Sequence, residues 1–92
     1  MTTNSAFIQV DPERVVHVLE HDAVEQLNGA GGDLVLDFSA VLRIDANAAR
    51  AMEELAGRAD SASVKVALRA VNIDIYRALK LLKLTGRFSF LS

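Results

Sequence analysis

The sequence predicts an α/β fold, a small mixed or mainly parallel β-sheet covered by three or more α-helices. Short β-rich runs alternate strictly with helical patterns, 51% of the 92 residues are hydrophobic, and breakers such as Asp-Pro and Gly-Ala-Gly-Gly separate the runs. Strands separated by helices favour parallel pairing through right-handed crossovers, and such a sheet needs helical cover. The length corresponds to a single domain spanning residues 1–92. A chain this short buries only ~60–65% of its unfolded surface, so its stability must come from an efficient core.

Each element follows in order. Ala6-Phe-Ile-Gln-Val10 is β-rich and ends at Asp11-Pro12, a favourable N-cap and first helical residue. Val16, Leu19, Ala23 and Leu27 then recur at helical spacing, and Gly29-Ala-Gly-Gly32 stops the helix. Leu34-Val-Leu-Asp-Phe38 is too short for a helix between its breakers and reads as a buried strand. Asp45 is the next candidate N-cap, introducing an apolar face of Ala48, Met52, Leu55 and Ala59. The alanines make this helix slim, which permits close approach to a sheet. Asp60-Ser-Ala-Ser63 reads as a loop. Val64-Lys-Val-Ala-Leu-Arg69 alternates apolar and polar, as a half-buried strand does. Asn72 caps a third helix whose Ile75, Ala78, Leu79 and Leu82 share a face and which Thr85-Gly86 ends; Phe88-Ser-Phe-Leu91 is the last strand. The expected order is β-α-β-α-β-α-β.

Composition narrows the function. The chain has no cysteine, hence no disulfide, thiol nucleophile or thiolate metal site. Met1 to Phe7 has neither the basic segment nor the apolar run of a signal peptide, and nowhere do the ~18–20 apolar residues of a membrane span occur. A cytoplasmic protein without membrane insertion is the expectation. A net charge of −2 gives no broad attraction to nucleic acid.

Leu34-Val-Leu-Asp-Phe-Ser-Ala-Val-Leu-Arg-Ile-Asp45 resembles the strand and loop of the STAS family, named for sulphate transporters and anti-sigma-factor antagonists. Val64-Lys-Val-Ala-Leu-Arg-Ala-Val71 and Ile75-Tyr-Arg-Ala-Leu-Lys-Leu-Leu-Lys-Leu-Thr-Gly86 are similar to the family's later strand and last helix. The resemblance runs from Asp33 to Leu91, and the preceding region is short for the family's opening β-hairpin. It implies a bacterial regulatory domain in which a partner kinase phosphorylates a hydroxyl at the start of the helix after Asp45. In this chain that helix begins Asp45-Ala46-Asn47-Ala48. Asn47 stands at the switch position, so the phosphorylation site is degenerate. An amide accepts no phosphoryl group, and its neutrality resembles the unmodified serine.

The resemblance implies partner binding through Asp45, Asn47, Ala51, Glu54 and Arg58. Ala51 would be the floor of this helix side and Ser39 a support for the adjoining loop. Glu54 and Arg58 also have favourable i, i+4 order, worth ~0.2–0.5 kcal/mol, and without a docked partner a solvated face is the better explanation of them. Tyr76, Lys80 and Lys83 share an outer face of the third helix and form a candidate basic surface, while Leu81 and Leu84 lie off its inner face. His17 and His21 have the spacing of a metal-binding pair but lack a third ligand, so no metal and no cofactor are expected. Gly29-Ala-Gly-Gly32 follows a helix and precedes a strand, the reverse of a phosphate-binding loop. Glu53 and Glu54 are adjacent and point in different directions, so they make no catalytic dyad.

The expectation is a non-enzymatic protein-binding module of the anti-sigma-factor antagonist type without the usual phosphoserine switch. Its partner would be an anti-sigma factor, a histidine-kinase-like ATPase. One alternative is an accessory subunit bound to the ATPase of a bacterial lipid-transporting ABC system. Another is a small-ligand or nucleotide sensor using Tyr76 and the lysines. An open sheet edge would favour a homodimer.

Overall fold

In the computed structural model, which describes residues 6–29 and 33–91, the alternating runs become four strands and three helices. The strands are β1 (Ala6–Gln9), β2 (Leu34–Asp37), β3 (Val66–Arg69) and β4 (Ser89–Leu91). Helix α1 spans residues 15–29, with α-helical turns Val15–His17 and Ala23–Gly29 flanking a π-helical segment Val18–Asp22. Helices α2 (Ala46–Ala62) and α3 (Ile73–Leu81) follow. The last two residues of the expected stop, Gly31 and Gly32, lie with Ala30 outside the described residues, as do residues 1–5, where the family's opening hairpin would begin.

All strand pairs are parallel and their order is β1-β2-β3-β4. Each crossover therefore steps one strand further in the same direction. With a constant hand, such steps place every connecting helix on the same face of the sheet. Burial agrees. Leu34, Leu36, Val66 and Leu68 point inward and share one core with Leu19, Ala23, Leu27, Met52, Leu55, Ile75 and Leu79 from the three helices. The register rows between them carry Phe7, Val35, Ala67 and Ser89, then Gln9, Asp37, Arg69 and Leu91. Phe7 is 56% exposed and Leu91 46%. Among the described residues, three helices thus cover one face of the sheet, not both.

Local chemistry accounts for the element ends. The Asp45 carboxylate accepts the Ala48 N–H at 2.8 Å, and the Asn72 side-chain oxygen accepts the Ile75 N–H at 2.8 Å, so both expected caps form. Asp11 behaves differently. Its carboxylate accepts the Glu13 N–H at 2.9 Å within a turn, and the helix begins only at Val15. The inserted π turn also changes the buried face of α1, since Val18 is buried whereas Val16 is only half-buried.

The expected loop at 60–63 is instead the last turn of α2. Ser63 adopts φ 58°, and the Val64 N–H returns to the Ala59 carbonyl at 2.9 Å. Helix α3 ends alike, before Thr85-Gly86. Lys83 adopts φ 61°, and the Leu84 N–H reaches the Leu79 carbonyl at 2.9 Å. These six-to-one bonds around a left-handed residue are Schellman motifs. The reversal carries Leu84 into the core and leaves Leu82 48% exposed, the opposite of what simple helical spacing predicts.

Candidate functional site

The start of α2 is held from two directions. Asp45 has extended backbone (φ −93°, ψ −177°), and its capping bond fixes the first turn. The preceding loop is tied to α3, because the Asn72 amide nitrogen donates to the Leu42 carbonyl at 2.8 Å and lies 3.4 Å from that of Val41. Asn72 therefore caps α3 with one side-chain atom and anchors the loop before α2 with the other. Its sequence context identifies the cap; the link across some thirty residues is visible only in three dimensions.

Asn47 is exposed in the first turn of the helix so positioned. Free backbone N–H groups and the helix dipole make this a favourable place for negative charge. Glu54 and Arg58 are exposed further along the same side, where they line a shallow groove toward α1 with Glu20, His21 and Val24. Ala51 is 2% exposed and forms the base of that groove within the core. It spaces the helices and has almost no surface to offer a partner, which removes it from direct contact. Glu54 and Arg58 do not form an ion pair; among the described residues the salt bridge is Arg87 to Asp60, at 2.7 Å.

On the other side of α2, Ile44, Ala46, Ala49, Ala78, Leu81 and Leu82 border an open groove of about 410 Å³ toward α3. Leu81 is 84% exposed. Thus the apolar surface beside the third helix belongs to Leu81 and Leu82, while Leu84 is buried.

In the loop after β2, the Ser39 backbone N–H donates to the Asp37 carboxylate at 2.8 Å. That bond, with the Ser39 hydroxyl, holds the Asp37 carboxyl below its ordinary pKa; partial burial opposes the shift and Arg69 adds a smaller lowering.

The candidate basic surface extends from α3 onto the turn that follows it. Tyr76 packs edge-on against Phe90, with ring centroids 5.2 Å apart, and is 38% exposed. Lys80 is exposed on the last turn of α3, but Lys83 lies beyond the helix on the left-handed turn, where helical spacing no longer sets its direction. Arg87 is engaged by Asp60. His17 and His21 are exposed, and their rings stack with centroids 4.5 Å apart at 30°. No cluster of three metal-ligating side chains occurs among the described residues.

The unidirectional strand order also bears on chemistry. Open α/β sheets form their ligand crevice where strand order reverses, and the order β1-β2-β3-β4 contains no reversal. Grooves flank α2 on both sides, toward α1 and toward α3. No helix among the described residues is long and apolar enough to cross a membrane.

Comparison with known proteins accords with this architecture. A crystal structure of a proposed anti-sigma factor antagonist from Thermotoga maritima superposes with a TM-score of 0.72 at 19% identity, covering 100% of this chain and 76% of that one. No curated protein matches the chain. The family model for the STAS domain matches residues 13–91, which extends the likeness back through α1. With a parallel sheet, capped α2 and α3, and a family match over most of its length, the chain belongs to the STAS domain family.

Proposed function

We propose that the protein is a non-enzymatic binding module of the anti-sigma-factor antagonist type whose partner contact is not switched by phosphorylation of α2. The observation that carries this reading is Asn47, exposed on the first turn of a helix fixed by Asp45 and, through its loop, by Asn72. A rigid, exposed helix start is a suitable contact point, and an amide there leaves no hydroxyl to phosphorylate. Glu54 and Arg58 extend the contact along the same side of α2. The partner in this reading is a histidine-kinase-like ATPase acting as an anti-sigma factor.

The test is affinity purification from the native host with the wild type and Asn47→Asp in parallel. An added charge at this position benefits the helix by ~0.3–1 kcal/mol through the dipole, so the fold should be no less stable. Partner recovery should nevertheless fall at least tenfold, because a desolvated charge opposes the contact. Equal recovery with both proteins would remove the start of α2 from the interface. Co-purification of a Walker-type ATPase would instead favour the transport-accessory reading, with which the missing hydroxyl is also compatible.

A further inference from the structure

The uncovered sheet face has a feature independent of the α2 reading. Its central row reads Phe7, Val35, Ala67, Ser89 from β1 to β4, so the larger side chains lie on β1 and β2 and the small ones on β3 and β4. In the next row, Asp37 on β2 is the register partner of Arg69 on β3. These two do not form a salt bridge within the chain, although Arg69 is close enough to lower the Asp37 pKa slightly. Purely parallel sheets are almost always covered on both faces, which makes this bare face unusual.

We propose that the open face binds a second copy of the chain, about a two-fold axis running along the strands between β2 and β3. That operation sets β1 over β4 and β2 over β3 of the partner copy. Phe7 then meets the small Ser89, and Val35 meets Ala67. Along this row larger residues lie over small ones, as two sheets packed ~10 Å apart require. The same axis brings Asp37 against Arg69 twice, so charge matches where size does. A two-fold interface must be complementary to itself, and the Phe7 row and the Asp37–Arg69 pair meet that condition under one axis, which also sets Gln9 over Leu91 at the margins. The β1 edge provides no comparable selection, since any exposed strand can pair.

Analytical ultracentrifugation of the intact chain from about 1 µM to about 1 mM tests the proposal. The wild type should show a monomer–dimer equilibrium. Arg69→Asp should weaken dimerisation at least tenfold, because two acidic groups would then face each other. Adding Asp37→Arg to that variant should restore most of the affinity. Asp37 also accepts the Ser39 N–H, so Ser89→Phe supplies a second probe. It enlarges an exposed residue and should weaken dimerisation by bulk while leaving the thermal transition of the monomer unchanged. A wild type that stays monomeric throughout overturns the proposal. So does a dimer insensitive to both Arg69→Asp and Ser89→Phe, which would place the contact elsewhere, such as the β1 edge.

Discussion

Asp37 shows how one side chain links local geometry to the behaviour of the fold. Its carboxylate accepts the Ser39 N–H at 2.8 Å, closing the turn that leaves β2. Because this bond favours the ionised form, the folded pKa lies below the unfolded value. The sign follows directly. Asp37 stabilises the fold at pH above the unfolded carboxylate value, about 3.9, and this contribution is lost as pH falls through the folded value. Replacing Asp37 by Asn should therefore cost stability at pH 7 and progressively less on acidification. Urea midpoints in dilute solution at pH 7 and about pH 3 measure the difference. A gap between the two proteins that did not narrow at low pH would mean that the charge contributes nothing.

At the scale of elements, helix starts were more legible than helix ends. Asp45 and Asn72 are caps by residue type and position, and both make the expected bonds. The ends were hidden because Ser63 and Lys83 adopt left-handed backbone that is usually associated with glycine. The π turn in α1 was hidden for a related reason, since a single inserted residue leaves the apolar pattern close to helical. The candidate site divided similarly. Exposure of Asn47, Glu54 and Arg58 agrees with their outer positions on α2, whereas burial of Ala51 depends on the approach of α1. Lys83 offers a direct check on the end of α3. A Cβ in left-handed backbone costs roughly 1–2 kcal/mol, while glycine increases the entropy of the unfolded chain. Lys83→Gly should therefore stabilise the protein by about 0.5–1 kcal/mol, raising Tm by roughly 2–8 °C for a domain of this size. A lowered Tm would show that the lysine side chain contributes more than its backbone costs.

For the molecule as a whole, the decisive property is that the chain winds in one direction. The sequence supports alternation and parallel pairing, but the bare face follows only once the strand order is known. One-sided winding also separates two sources of exposed surface, the open face and the edge of β1. The Ala6 N–H donates to Asp33 and the Val10 N–H to Asp37, each at 2.9 Å, so alternation turns the Phe7 and Gln9 amides away from β2 toward the edge. Strands β2 and β3 are paired on both sides and backed by the core. Their amides should exchange with solvent only through the largest openings of the fold, while those of Phe7 and Gln9 exchange quickly. The contrast discriminates between modes of self-association. A dimer stacked through the open face covers the Phe7 side chain but adds no bond to its amide, so the edge amides should remain fast as concentration rises. An edge-paired dimer would protect Phe7 and Gln9 selectively. Residue-resolved hydrogen exchange at low and high concentration therefore reads the geometry of association directly, and concentration-dependent protection of those two amides would place the contact on the edge.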